Sequence, residues 1–236
     1  MLKMAKSSSF EAESLASPAA SAGKSPGKSP FVRLVKEIEA CRICRDQPRG
    51  SPLPHEPRPV LRVSSTARLL IAGQAPGTRV HASGIPFTDP SGDRLRDWMG
   101  IGGEVFYDNS RVAIIPMGFC FPGLDARKAD LPPRAECRTA WHDRLMAAMP
   151  QVETILVIGN YARDYHFERL GLTEYKKAGL TEIIQCWRDF SRRKPLVIPL
   201  PHPSWRNSGW LKKNPWFEIE LLPVLRAEVA RLLQKP

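Results

Sequence analysis

Four short apolar runs constrain this chain more than any other feature. They are Leu69-Leu70-Ile71-Ala72, Val112-Ala113-Ile114-Ile115, Thr154-Ile155-Leu156-Val157-Ile158 and Leu196-Val197-Ile198-Pro199-Leu200. Each is too short for a stable core helix, and none alternates polar with apolar, so each reads as a strand buried on both faces. Helical spacing fills the gaps: Leu95, Trp98 and Met99 before Gly100, then Cys137, Trp141 and Leu145, then residues 161–170, then residues 180–190 with Ile183, Ile184, Trp187 and Phe190. Strands separated by helices predict an α/β fold, a three-layer α/β/α arrangement around a central four-stranded parallel sheet.

The flanks follow the same logic. Ser29-Pro30 is a helix start, with serine as cap and proline in the first turn, and Phe31, Leu34, Val35, Ile38 and Cys41 share one face. Ser91 is read as the cap of the Leu95 helix, and Gly77 to Ile85 as a polar loop. Asn214-Pro215 opens a last helix striped by Leu221, Leu222, Leu225, Val229 and Leu232, which Pro223 should kink or divide. Residues 1–28 are rich in Ser, Ala, Lys and Pro, lack an apolar core and read as a disordered tail; residues 29–236 are left for the domain.

Charge narrows the partner. The net charge is +11, and only +2 of it falls in residues 1–30, so the surplus belongs to the folding part. Such a surplus favours a polyanion, nucleic acid before a membrane. No run approaches the length of a membrane span. With no secretory signal the expectation is a cytoplasmic protein, and its five cysteines are then not structural disulfides.

Two strand ends carry residues that look chemical. The first strand stops in Gly73-Gln74-Ala75-Pro76-Gly77 and leads to Ile85-Pro86-Phe87-Thr88-Asp89-Pro90-Ser91-Gly92; the fourth stops in Pro201-His202-Pro203-Ser204. A Gly/Pro turn after a strand places groups in the crevice at the sheet's carboxyl edge, where open α/β sheets bind ligands. The turn lacks the Lys-Ser/Thr of a phosphate loop and the three glycines of a dinucleotide site.

Together these motifs resemble the uracil-DNA glycosylase superfamily, from about Cys41 to the last helix, and most closely its iron–sulfur branches, families four and five. The stretch Phe87-Thr88-Asp89-Pro90-Ser91-Gly92-Asp93 is similar to a family-five motif whose catalytic-type aspartate aligns with Asp89. The resemblance implies a monomeric, monofunctional glycosylase that flips uracil or a related deaminated base from DNA and hydrolyses its N-glycosidic bond, leaving an abasic site. In that chemistry a carboxylate (Asp89) stabilises the sugar cation and orients or deprotonates water, and a donor (His202) stabilises the departing base anion as an oxyanion hole would. Phe87 stacks on the flipped base, Gln74 contacts water or base, Gly73 and Ala75 shape the turn, and Ser204 and Arg206 hold the DNA backbone. Trp205 to Trp210 follow the second motif, where the family inserts a loop into DNA; Trp210 and Trp216 with Arg206, Lys212 and Lys213 make a basic, aromatic region for it.

The chain departs from the pattern at two points. Positions 74 and 75 are Gln and Ala where a turn carboxylate is usual, and no Asn follows the second strand to read a uracil edge. An altered base preference is one consequence; a non-excising protein that binds uracil or abasic DNA is the alternative function, and an adaptor that merely keeps the fold is a third. His81 lies in the loop where one branch uses a covalent histidine, but the matching basic loop is absent and it reads as an ordinary loop residue.

Cys41 and Cys44 form a Cys-x-x-Cys pair closing the first helix, and Cys120 and Cys137 follow the second strand. Four thiolates suit a [4Fe–4S] cluster or tetrahedral zinc, and spacing alone also allows four separate buried cysteines. The resemblance to family four fills all four of its cluster positions and favours iron–sulfur over zinc. Cys186 is left over and reads as core.

Overall fold

The computed structural model describes residues 29–190 and 192–234. The disordered tail expected over residues 1–28 lies outside them. All four apolar runs are strands: β1 (Leu69–Gly73), β2 (Val112–Pro116), β3 (Thr154–Ile158) and β4 (Leu196–Leu200). They form one parallel sheet in the order β2-β1-β3-β4, with Ile71 aligned to Ile114 on one side and Leu156 on the other. Pro116 and Pro199 fall on the edge strands β2 and β4, where a missing N–H is tolerated.

The two sheet faces divide the core by alternation. Leu70, Ala72, Ala113, Ile115, Ile155, Val157 and Val197 belong to one buried cluster, with Leu34, Ile38, Trp141 and Leu145. Leu69, Ile71, Val112, Ile114, Leu156, Ile158, Ile198 and Leu200 belong to the other, with Leu95, Trp98, Phe217 and Leu225. Burying each large apolar side chain is worth about 1.5–3 kcal/mol, which is why these runs carry no polar residue apart from Thr154. The Thr154 hydroxyl donates to Glu228 Oε1 at 2.6 Å.

Helix α1 (Pro30–Glu39) is capped as expected, the Ser29 hydroxyl accepting from the Val32 amide. It ends before Cys41, and Cys44 sits in a separate turn, α2 (Ile43–Asp46), so the Cys-x-x-Cys pair spans a helix junction instead of closing one helix. The segment read as a polar loop contains a short helix, α3 (Thr78–Ser83), with no buried residue. Without an apolar stripe it left no periodic trace; Arg58 fixes its end by donating from Nη1 to the carbonyls of His81 and Ala82 at 2.6 and 2.7 Å. Helix α4 (Pro90–Met99) is capped by Asp89, not Ser91, because Pro90 takes the first helical position and pushes the cap one residue back. A short α5 (Gly103–Phe106) follows.

Residues 180–190 form two short helices, Leu180–Gln185 and Trp187–Phe190, where one was expected. The last helix is divided, as Pro223 predicts: a π-helical turn Phe217–Leu221 precedes Leu222–Gln234. Among the described residues no helix is long and apolar enough to cross a membrane.

The order of the strands reverses at β1, which has β2 on one side and β3 on the other. A crevice opens at the carboxyl end of such a switch point. Both sequence motifs reach it.

Candidate functional site

The β1 turn is pinned to its neighbour: Met117 and Gly118 donate backbone N–H groups to the Gly73 and Gln74 carbonyls, both at 2.9 Å. The Gln74 side chain is left without a hydrogen-bond partner among the described residues and faces the crevice. Phe87 stands against this turn, its ring edge 4.0 Å from where a Gly73 Cβ would lie and perpendicular to Phe106 at 5.9 Å between centroids. Its φ is +57°, a left-handed conformation that costs a non-glycine residue about 1–2 kcal/mol. Three groups enforce it. Arg96 Nη1 and the Tyr107 hydroxyl donate to the Phe87 carbonyl at 3.1 and 3.0 Å, and Gly92 leaves room for that carbonyl. Strain maintained by this much surrounding structure is characteristic of functional sites.

Asp89 serves two purposes. Its Oδ1 accepts from the Gly92 amide at 3.2 Å and from the Ser91 hydroxyl at 2.5 Å, which caps α4 and orients the carboxylate. It also lines the crevice. Ser91, first read as the cap, instead holds the cap in place.

At the other strand end, the Ser204 amide donates to His202 Nδ1 at 3.2 Å. An Nδ1 that accepts leaves the proton on Nε2, so His202 presents a neutral N–H donor. The ring opens to solvent through the crevice yet is flanked by protein on most sides. That enclosure holds its pKa below the ordinary histidine value; Arg206 adds to the depression, while Asp89 and Asp130 oppose it. Arg94 Nη1 donates to the Ser204 carbonyl at 3.0 Å and Asn207 to the His202 carbonyl at 2.7 Å, so the loop is braced from α4 and from within.

These residues line one cavity of about 350 Å³. Gly73, Gln74, Ala75, Phe87, Asp89 and His202 all contribute, as do Lys128 and Asp130, which sequence reasoning missed. Ser204 and Arg206 are not part of the wall; Arg206 acts on His202 and Asp130 through its charge. The family model of the uracil DNA glycosylase superfamily matches residues 62–226, a span that contains both strand-end motifs and the whole sheet. The chain belongs to that superfamily.

In this superfamily member the aromatic residues after His202 divide sharply. Trp205 is 76 % exposed, with the Arg206 guanidinium 5.9 Å from its ring. Trp210 and Trp216 are not a surface patch: they stack edge-on with each other and with the buried Phe217, and their indole N–H groups donate to Thr181 Oγ1 and Asn214 Oδ1. Packing the last helix has claimed both rings, leaving Lys212 and Lys213 exposed beside them. His81 faces away from the cavity, its ring 4.3 Å from that of His55 and 5.7 Å from Phe121.

Cys44, Cys120 and Cys137 are buried and Cys41 is half-buried. The neighbouring Cys44 and Cys137 thiols interact, which pulls Cys44 below the usual thiol pKa, and that interaction together with burial raises Cys137. Cys120 feels the charges of both Cys41 and Cys44, and burial pushes it up to about 12. Two of the sulfurs meet N–H donors: Trp141 Nε1 donates to Cys41 Sγ at 3.2 Å and the Phe119 amide to Cys137 Sγ at 3.4 Å. Among the described residues no group of three or more His, Cys, Asp or Glu side chains is arranged to hold a metal ion. Cys186 lies apart, half-buried against the first core cluster.

Proposed function

We propose that this chain is a monofunctional DNA glycosylase for uracil or a related deaminated base. The superfamily's members act on DNA and hydrolyse N-glycosidic bonds. The observation that carries the finer reading is that Gln74, Phe87, Asp89 and a tautomer-fixed His202, brought from two strand ends, face one small cavity. A volume of about 350 Å³ is near the low end for ligand pockets and suits a single base.

The chemistry follows from the groups. A flipped base loses its stacking partners, and the Phe87 face replaces one of them. As the C1′–N bond breaks, negative charge gathers on the base, where the His202 Nε2–H donates to it; because burial keeps the ring neutral, no proton must first be lost. Positive charge gathers on the sugar, which the oriented Asp89 carboxylate would face. The exposed Trp205 indole would fill the vacated stack, and the exposed Arg206, Lys212 and Lys213 would supply phosphate contacts.

A second reading has one observation in its favour. Asp89 Oδ1 is committed to capping α4, and Gln74 carries no charge, so the groups at these two positions would also suit a protein that grips a flipped base without excising it. Labelled single- and double-stranded DNA containing uracil, hypoxanthine, xanthine or a thymine mispair separates the readings. Alkali-labile sites should appear with at least one substrate, and Asp89→Asn and His202→Ala should each lower the single-turnover rate by about 10²–10³-fold. Tight retention of the lesion DNA with no alkali-labile product would establish the binder.

Cys41, Cys44, Cys120 and Cys137 would hold a [4Fe–4S] cluster. The N–H donors aimed at the Cys41 and Cys137 sulfurs are contacts of the kind that stabilise thiolates around such a group. Through these residues a bound cluster would link the end of α1, α2 and the Cys120 loop. Anaerobically purified protein should show iron, acid-labile sulfide and a broad visible absorption, all lost in Cys120→Ser together with a large drop in melting temperature; stoichiometric zinc, or no metal at all, would be the contrary result.

A further inference from the structure

The cavity holds a second carboxylate that neither strand-end motif predicts. Asp130 sits on the hairpin-like loop that follows Cys120, which closes through a Leu131 amide donating to the Gly123 carbonyl at 2.9 Å and a bridge between Leu124 and Asp130. Asp125 stiffens its tip by accepting from the Arg127 and Ala129 amides at 2.8 and 2.9 Å. The loop brings Leu124, Lys128 and Asp130 to the cavity wall. Asp130 Oδ2 lies 3.6 Å from where a Gly77 Cβ would be, so the carboxylate stands over the first turn, and it is also within electrostatic reach of His202 and Arg206.

The two carboxylates of the cavity have opposite surroundings. Asp89 Oδ1 accepts two hydrogen bonds and is tied to the end of a helix, so that oxygen is already engaged and is poorly placed to accept a further hydrogen bond from water. Asp130 accepts no hydrogen bond among the described residues. Asp130 is open to solvent at the cavity rim, yet partial desolvation of its carboxylate raises its pKa, against the opposing charges of Arg206 and His202. Two carboxylates held in unlike environments commonly divide the roles of charge and base.

We propose that Asp130 is a second catalytic carboxylate of this cavity, the general base that takes a proton from the attacking water while Asp89 remains the fixed charge beside the sugar. This rests on the glycosylase reading above and deepens it. Water oxygen bonds to C1′, and one water proton passes to Asp130. The C1′–N bond breaks with its electron pair leaving on the base, whose anion is met by His202 Nε2–H. Solvent then protonates the base and removes the proton from Asp130, so nothing beyond water is consumed. Arg79, Lys128, His202 and Asp89 share the cavity wall with Asp130, and the charges of Arg206 and His202 act on it to favour its ionised form.

Single-turnover excision by the full chain tests this, on whichever lesion the wild type cleaves, alongside affinity for the same DNA made uncleavable by 2′-fluorination. Asp130→Asn should lower the rate by about 10²–10⁴-fold, leave the affinity and melting temperature unchanged, and remove the acid limb of the pH–rate profile. Asp130→Glu should keep part of the activity, and formate should restore activity to Asp130→Ala by replacing the missing base. A wild-type rate and acid limb in Asp130→Asn would overturn the assignment, as would a loss that tracks lost affinity and is not rescued by formate. If the wild type excises none of the four lesions, the glycosylase reading itself fails and takes this role with it; if it excises and the Asp130 variants match it, only this role fails.

Discussion

Gly92→Ala should unfold the first wall of the cavity and with it the activity. Gly92 is buried in the first turn of α4, and its backbone is ordinary; the constraint is proximity. A methyl group there would stand 1.9 Å from the Phe87 carbonyl oxygen, 2.6 Å from its carbon and 2.8 Å from its Cβ. None of these is the free end of a flexible side chain. The carbonyl cannot retreat without breaking its bonds to Arg96 and the Tyr107 hydroxyl, and Tyr107 also donates to the Pro86 carbonyl at 3.0 Å. Overpacking a core usually costs about 1–3 kcal/mol. A clash with held backbone belongs in the exceptional range above about 4 kcal/mol, a large share of the stability of an ordinary domain.

Urea denaturation of the variant, with Gly103→Ala as the control, measures this. Gly103 opens α5 and has nothing within 4 Å of its would-be Cβ, so alanine there should be neutral or add up to about 1 kcal/mol. Equal midpoints for the two variants would mean that the Phe87 carbonyl is not held where it is found. Any Gly92→Ala protein that does fold should have lost Phe87 from its strained position and should excise poorly, because the stacking face and the adjacent Asp89 cap move together.

How far the sequence reveals this protein depends on the range of the interaction concerned. The strands were legible because a parallel strand covered on both faces must be apolar throughout, and Leu69–Gly73 or Thr154–Ile158 can be little else. Local chemistry was legible in part: Ser29-Pro30 reads directly as a cap, whereas at Asp89-Pro90-Ser91 two capping residues compete and only the fixed φ of Pro90 decides between them. Helix α3 was not legible, since its order comes from Arg58, twenty residues upstream, rather than from a stripe of its own. The fate of Trp205, Trp210 and Trp216 was equally hidden. Composition places three indoles near three basic groups, but only the packing on Phe217 shows which of them remain free. Asp130 had no signal at all. It reaches the cavity through a loop whose path is set by backbone hydrogen bonds, and nothing in its neighbours' identities marks it.

Acid should destabilise the protein well before its carboxylates titrate. Two histidines on the first-cluster side of the sheet are almost completely buried, His142 and His166, each 1 % exposed. Burial holds His142 down to about 4, even though its Nε2 bonds the Met117 carbonyl at 3.1 Å and Asp143 favours the cation. Burial likewise holds His166 down to about 3, aided by the charges of His142 and Arg169, and its Nδ1 has no hydrogen-bond partner among the described residues. Both rings are enclosed by aromatic neighbours, Phe119 and Tyr165 around His142 and Tyr165 beside His166. In the unfolded chain each would titrate near 6.5. Between that value and about 4 the unfolded state therefore binds protons that the folded state refuses, and stability rises with pH across the window. The contribution is fully present above pH 6.5 and is lost as the pH falls toward 4, at up to about 1.4 kcal/mol per pH unit for each ring. His81 and His202, also depressed by burial, add to the same slope more weakly because both remain partly open to solvent. Glu136, Glu153 and Glu228 have lowered pKa values and act only below the ordinary carboxylate range, so they do not confuse the upper window. Urea midpoints measured from pH 7.5 to 4.5 should fall continuously, and His166→Leu should remove about one proton from the dependence while His142→Gln, which keeps a donor for the Met117 carbonyl, removes another. Midpoints that stay level down to pH 5 would show that neither ring is as enclosed as its surroundings indicate.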